Sequence, residues 1–176
     1  MRIAISSKSG CGNTSVTKAL SSQLGYKMIN FTFRQMAEER NMDFVSFCAL
    51  AEGDDNIDIE LDSRQVKMAE SEENCVLGSR LAIWMLKNAD LKVYLRAQSK
   101  TRAMRIQKRE GGSFEDKFRE TEERDKRDSA RYMRIYGIDN NRPESVADII
   151  IDTDNKSVDE IVRIICDEVR QISCKK

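Results

Sequence analysis

A stretch of small and polar residues at positions 7–15 follows a short apolar run and precedes residues with helical spacing. A strand, a glycine-rich turn and the start of a helix can surround a phosphate group with backbone N–H donors, and the helix dipole adds positive potential there. The known phosphate-loop motif is G-x-x-x-x-G-K-[ST]. This chain matches it at Gly12 and Thr14, but it has Ser7 for the first glycine and Asn13 for the lysine.

We therefore predict that this loop binds phosphate, and the hydroxyl of Thr14 stands where the motif provides a ligand for Mg²⁺. Because Asn13 carries no charge, Lys8 within the loop can supply part of the missing positive charge. The alternative is an ordinary turn, in which Ser9 or Asn13 only caps the following helix. The residues predicted to contact phosphate are Ser7, Lys8, Ser9, Gly10, Cys11, Gly12, Asn13, Thr14 and Ser15.

Arginines recur at helical spacing in two later stretches. Each set lies three or four positions apart and so occupies one face of a helix. A guanidinium group binds phosphoryl oxygens in pairs and stays charged when water is excluded, and phosphoryl transfer requires chiefly positioning and neutralisation of charge. The alternative is a pair of surface helices joined by ion pairs. The two sets are Arg102, Arg105 and Arg109, and then Arg124, Arg127 and Arg131 with Asp128 among them.

The pair Gly111-Gly112 separates these two arginine-bearing helices. We predict that the two helices form a flap that closes over bound phosphates by bending at the glycines.

The composition excludes several classes of site. The chain of 176 residues has no histidine, which removes Ser-His-Asp and Cys-His catalysis and the usual zinc sites. Its five cysteines form no C-x-x-C pair, and no apolar run approaches membrane length. The first residues enter a strand directly. We therefore expect a cytoplasmic protein with no targeting segment, disulfide framework or membrane contact.

Short apolar runs alternate with helical patterns along the chain, which predicts a parallel sheet of five strands with helices on both faces. The predicted strands begin near residues 3, 27, 75, 91 and 147. Sites in such folds lie at the carboxyl ends of the strands. The loop at 7–14, Gly78-Ser79-Arg80 and Arg96 each follow a strand, so we expect them at one edge of the sheet.

Taken together, these stretches resemble the cytidylate kinases of the archaeal type, which are P-loop nucleoside monophosphate kinases. The resemblance covers nearly the whole chain in order. Besides the strand and loop up to Asn13-Thr14, the similar stretches are Phe33-Arg34-Gln35-Met36-Ala37, Glu60-Leu61-Asp62-Ser63-Arg64-Gln65, Arg80, Lys108-Arg109-Glu110, Glu123-Arg124-Asp125, Arg131 and Ile135-Tyr136-Gly137-Ile138-Asp139.

The resemblance implies a Mg²⁺-dependent transfer of the ATP γ-phosphoryl group to CMP or dCMP. It also implies a single domain with a core at 1–33, 74–99 and 132–176, an acceptor segment at 34–73 that binds the monophosphate, and a lid at 100–131. We expect a monomer that binds ATP and CMP or dCMP and no nucleic acid.

Roles follow from the same resemblance. Arg34 and Arg131 would hold the CMP phosphate, with Arg80 beside that phosphate or the base. Asp62 with Arg64 would read the edge of the cytosine. Residues expected to serve the transferred group, the ribose or ATP are Arg124, Asp128, Arg131, Arg105 and Arg109.

The chain departs from the family pattern at two places. Many relatives have an acid and a glycine before the arginine that follows the third strand, where this chain has Gly78-Ser79. Asn13 is the second departure. The alternatives that stay open are a P-loop kinase for another acceptor (UMP, AMP or shikimate) and a nucleotide-binding sensor without turnover. An RNA-binding role is disfavoured, because aromatic residues are not interleaved with the basic ones.

Overall fold

The computed structural model describes residues 1–174, which form a sheet of five parallel strands in the order β2-β3-β1-β4-β5. In the centre of the sheet, β1 pairs with β3 on one side and with β4 on the other, so that Ile5 lies opposite both Gly78 and Val93. The predicted fold class is confirmed. The strands are β1 (Arg2–Ser7), β2 (Lys27–Ile29), β3 (Cys75–Gly78), β4 (Leu91–Arg96) and β5 (Ile149–Asp152).

Helices connect the strands and cover both faces of the sheet. A short 3-10 turn at Pro143–Ser145 precedes the last strand. The α-helices of the described chain are α1 (Asn13–Leu24), α2 (Phe33–Glu39), α3 (Phe44–Gly53), α4 (Asp55–Glu70), α5 (Ala82–Met85), α6 (Ser99–Glu110), α7 (Phe114–Tyr136) and α8 (Val158–Cys174).

Alternation along β1 divides the core into two layers. Ile3 and Ile5 point to the face covered by α1 and α8, where they pack with Leu20 and Ile165. Ala4 points to the opposite face, into a second cluster that includes Trp84. Each residue of this central strand from Ile3 to Ser7 is buried. The sheet therefore holds the end of β1, where the phosphate loop begins, on a rigid support.

The helices α2, α3 and α4 have a small apolar core of their own. Its buried members include Met36, Phe47 and Ile57, and Phe33 meets Phe47 edge to face with ring centroids 5.7 Å apart. These helices fall within the predicted acceptor segment. Of the three helices, α4 also reaches the sheet, because its Ala69 is buried in the second core cluster.

Side-chain caps begin several helices. Asp43 accepts hydrogen bonds from the N–H groups of Val45 and Ser46 at the start of α3, and Asp54 caps α4. Ser113 accepts from the N–H of Asp116 at the start of α7. A capping box formed by Thr32 and Gln35 begins α2. No helix within residues 1–174 combines the length and apolar character that a membrane span requires.

Candidate active site

The predicted phosphate loop lies between β1 and α1 and exposes the start of α1. Gly10 and Gly12 have positive φ angles of 83° and 91°, which favour glycine. At Gly10 the backbone of Arg102 also comes so close that a Cβ atom would lie 3.0 Å from its Cα. Gly12 precedes α1 without a side-chain cap, and the first turn of the helix has no acidic residue. The positive end of the helix dipole is therefore not neutralised by a neighbouring acid, as an anion site requires.

The loop forms one wall of a cleft of about 580 Å³. Every residue from Ser7 to Ser15 lines it, and Arg80, Arg105 and Arg109 line it from other elements. Thr153 and Lys156, which follow β5, also line it, and the Thr153 hydroxyl donates to the carbonyl oxygen of Cys11 in the loop at 3.4 Å. Donors and cations that are distant in sequence thus face one space at the carboxyl edge of the sheet. That is the edge predicted from the alternation of strands and helices.

The side chain of Asn13 is engaged within the protein. Its Nδ2 donates to the carbonyl oxygen of Ile5 at 3.0 Å and to that of Ser79 at 3.3 Å, so it joins the ends of β1 and β3. Its Oδ1 accepts from the hydroxyl of Thr17 at 3.2 Å. A Cβ atom on Gly78 would lie 2.7 Å from that Oδ1 and 2.3 Å from the Thr17 hydroxyl. Asn13 therefore ties the loop to the sheet, and Gly78 leaves room for it.

Two other polar residues of the loop differ in their surroundings. Thr14 is exposed and its hydroxyl lines the cleft, which fits a ligand of Mg²⁺. Within residues 1–174 no cluster of three or more acidic, Cys or His side chains could hold a metal alone. The Nζ of Lys8 donates to Asn141 at 2.7 Å and lies 3.7 Å from an oxygen of Asp125. Its charge therefore lies at the rim of the cleft.

The three arginines of α6 do not act alike. Arg105 and Arg109 line the cleft, and Arg105 donates to the carbonyl oxygen of Thr153 at 2.6 Å. Arg102 is only 3% exposed. It donates to the carbonyl oxygen of Ser9 in the loop at 3.1 Å and to Asp125 on α7 at 2.6 Å. Arg102 therefore joins the loop to both helices, and a closing movement must either break this pair or carry the two helices together.

Of the arginines of α7, Arg124 reaches the loop and Arg131 pairs with Asp128, whereas Arg119 pairs with Asp116 and Arg134 with Asp55 on α4. Arg124 is exposed and lies 3.5 Å from the hydroxyl of Ser9. Asp128 is 8% exposed and lies between two arginines, at 3.2 Å from Arg80 and 3.1 Å from Arg131. The structure thus brings Arg124, Asp128, Arg131 and Arg80 together beside the loop.

Arg34 and Arg64 lie farther from the loop, in the predicted acceptor segment. The Arg34 guanidinium lies 4.3 Å from the ring centre of Phe44. Burial raises the pKa of the Cys48 thiol, whereas the charges of Arg124 and Arg34 lower it, so both guanidinium groups lie near α3. Arg64 stacks on Phe31 at 4.2 Å and donates to both oxygens of Glu39. The structure therefore brings Arg34 toward the α7 arginines, but it engages Arg64 with α2.

Asp62 is buried on the side of α4 that faces α7. It accepts a hydrogen bond of 2.7 Å from the hydroxyl of Tyr136 and is 8% exposed. Burial raises the pKa of Asp62 to about 6, although the bond from Tyr136 lowers it. Asp62 and Arg64 thus have different neighbours, and their role in reading a base stays a prediction.

Comparison with known proteins identifies the family. A sequence model of the cytidylate kinase-like family matches residues 2–155. The chain belongs to this family. Cytidylate kinase 2 of Borrelia garinii subsp. bavariensis is 42% identical to it, over 99% of this chain and 99% of its own length. An archaeal relative, the cytidylate kinase of Pyrococcus abyssi, is 42% identical over 93% of this chain and 90% of its own.

Solved structures of other kinases have a similar fold. Deoxyadenosine kinase from M. mycoides with bound dATP has a TM-score of 0.61 at 20% identity, covering 97% of this chain and 100% of its own. Shikimate kinase from Bacteroides thetaiotaomicron has a TM-score of 0.65 at 14% identity, covering 97% of this chain and 98% of its own. At these identities the likeness concerns the fold alone.

Sequence reasoning missed several residues of this cytidylate kinase-like site. Thr153 and Lys156 follow β5 and could have been found by extending the sheet-edge argument to the fifth strand. Asp125 is adjacent to Arg124 in sequence, but nothing in the spacing indicates that it binds Arg102. Asp58 belongs to no recognisable motif, so nothing in the sequence indicates that this acid is buried.

Proposed function

We propose that this chain transfers the γ-phosphoryl group of ATP to CMP or dCMP and releases ADP with CDP or dCDP. One observation carries the proposal: an unneutralised helix start and a phosphate loop open onto a cleft that Arg80, Arg105 and Arg109 line. Membership of the cytidylate kinase-like family and the names of relatives that are about 42% identical support CMP as the acceptor.

The cleft can accommodate the triphosphate. Backbone N–H groups of the loop would surround its phosphates, and Arg105 and Arg109 would approach from α6. Mg²⁺ would bind at the hydroxyl of Thr14 and at phosphate oxygens, where it supplies charge neutralisation. Since Asn13 carries no charge, the side-chain cations for this step would come from the arginines and Lys8.

The acceptor side is formed by α7 and the acceptor segment. Arg34 and Arg131 would bind the CMP phosphate, and Arg124 would reach the moving group from beside Ser9. Asp128 would accept from the ribose while it orients Arg80 and Arg131. Asp62 and Arg64 would have to turn from Tyr136 and Glu39 to read the base. Residues 34–73 and 100–131 would move as separate segments around the core.

The chemistry needs no histidine. The bond between the γ-phosphorus and the bridging oxygen breaks, and an oxygen of the CMP phosphate forms the new bond. That oxygen is already ionised at neutral pH, because the second pKa of a phosphate monoester is about 6. The protein therefore has to align the two phosphates in line and neutralise charge, and it removes no proton.

Turnover with a panel of monophosphates tests the proposal. ADP release would be followed with ATP, Mg²⁺ and each of CMP, dCMP, UMP, AMP and GMP, and kcat/KM compared. We expect CMP or dCMP to be the best acceptor. If AMP or GMP exceeds both, the acceptor assignment is wrong. If ATP raises the melting temperature but no acceptor supports ADP release, the chain is a nucleotide sensor without turnover.

A further inference from the structure

A buried acid, Asp58 on α4, lies behind the proposed acceptor site and has no part in the steps above. It is 4% exposed, and its Oδ2 lies 3.4 Å from the Nε of Arg131. Neither atom has a hydrogen-bond partner in the described part of the chain, residues 1–174. The two charges therefore attract each other without completing a hydrogen bond, in a position that water does not reach.

The position of Asp58 determines how the Arg131 guanidinium is presented. Its Nε edge faces Asp58, and its Nη2 donates to Oδ1 of Asp128 at 3.1 Å. Tyr132 lies beneath it, with the ring centre 5.5 Å from the guanidinium carbon. Two carboxylates on different helices and one ring thus fix the plane of the group. A guanidinium fork binds phosphoryl oxygens well only when its plane is aligned with them.

Stability does not account for this contact. A buried ion pair is a weak source of stability, and uncharged residues of similar volume often do as well or better. Burial raises the pKa of Asp58, while the charge of Arg131 lowers it, so the folded chain holds this carboxylate at a cost. The neighbouring contacts between the same helices differ: Asp55 forms an exposed pair with Arg134, and Asp62 has a complete hydrogen bond with Tyr136.

We propose that Asp58 is a positioning residue, which holds Arg131 in the orientation that the acceptor phosphate requires for in-line transfer. The proposal rests on the proposed function, because it assigns Arg131 to the phosphate of the acceptor. Asp58 is 4% exposed and its Oδ2 is shielded from water, so it offers no surface to a substrate. Its effect must therefore pass through Arg131, and this distinguishes it from a residue that binds CMP directly.

The variant Asp58→Asn removes the charge and keeps the volume, so we expect it to fold. Its kcat should fall about tenfold or more through misalignment of Arg131, while KM for CMP stays unchanged or decreases because one competing charge is gone. Asp55→Asn is the matched control, one turn earlier on the same helix, and it should leave both constants unchanged. An unaltered kcat, or a lower KM alone, would overturn the proposal.

A double-mutant cycle provides the second measurement. If Asp58 acts through Arg131, Asp58→Asn should have little further effect on kcat in an Arg131→Ala background. Additive losses would mean that Asp58 affects the site by another route, and the proposal would be wrong. The proposed function fails in a different way, since the wild-type chain would then phosphorylate neither CMP nor dCMP.

Discussion

The buried carboxyl of Asp62 gives a measurable dependence of stability on pH. Its pKa is raised from 3.8 to about 6 by burial. Between these two values the unfolded chain has lost the proton while the folded chain still holds it. The contribution of Asp62 to the free energy of unfolding therefore falls as the pH rises through this window, and it stays low above pH 6. Asp62→Asn removes this loss, because the amide does not ionise and its oxygen can still accept from Tyr136.

The magnitude follows from the size of the shift. Each pKa unit corresponds to about 1.4 kcal/mol, so a rise of roughly two units is worth on the order of 3 kcal/mol. The difference in unfolding free energy, variant minus wild type, should increase by most of this amount between pH 4 and pH 7.5. A smaller part is already present at pH 4, where the unfolded carboxyl is about half ionised, together with the effect of exchanging a carboxylic acid for an amide. Burial also raises the pKa of Asp58, but that residue is present in both proteins. Its contribution to the pH dependence therefore largely cancels in the difference.

Urea unfolding at four or five pH values between 4 and 7.5 measures this difference. Asp55→Asn on the same helix is the control, because the hydrogen bond from Arg134 lowers the pKa of exposed Asp55. Its contribution to stability then changes below the unfolded pKa, so its difference should stay nearly flat over this range. A flat difference for Asp62→Asn would mean that this carboxyl titrates as it does in the unfolded chain. A decreasing one would mean that it is stabilised as a carboxylate, and the argument from burial would be refuted.

Three further predictions concern the loop and α7. Asn13→Ala should lower kcat/KM less than about tenfold, because it loses the hydrogen bonds to the strand ends but no side-chain cation. Thr14→Ala should cost much more by removing the proposed ligand of Mg²⁺; the reverse order would refute the alignment of the loop with the motif. Arg131→Ala should reduce kcat by about 10²–10³, the effect of removing one preorganised donor, and a change in KM alone would limit Arg131 to ground-state binding. Hydrogen exchange in residues 100–131 should slow when ATP and CMP analogues bind together, because this segment closes over them by bending at Gly111-Gly112. Unchanged exchange would contradict closure.

The fold and the loop could be predicted because their signals are local. A buried strand, glycines at two positions and a helical pattern lie within about twenty residues, and their geometry needs no knowledge of distant neighbours. Arg102 shows where such reasoning ends. It shares its spacing with Arg105 and Arg109, but it is buried because the backbone of Gly10 and the carboxylate of Asp125 meet it there. Spacing gives the direction of a side chain on its helix and not what packs against it.

In the acceptor segment, the directions of Asp62 and Arg64 could be predicted from the sequence, whereas the partner of Asp58 could not. Asp62 and Arg64 are two positions apart, or about 200° around a helix, so they point to opposite sides. In the structure, Asp62 accordingly contacts Tyr136 on α7, and Arg64 contacts Glu39 on α2. The partner of Asp58 could not be predicted, because contact between α4 and α7 joins residues more than seventy positions apart.

The close approach at the end of β3 restricts how this site can change. A side chain at Gly78 has no room while Asn13 and Thr17 keep their positions. Lysine at position 13 would in turn remove the bonds to the carbonyl oxygens of Ile5 and Ser79. Replacing Asn13 by the lysine of the common motif, or Gly78 by an acid, therefore disturbs the site when either substitution is made alone. Positions 13, 17 and 78 are therefore sterically coupled. Engineering the common arrangement into this chain requires changes at all three positions together.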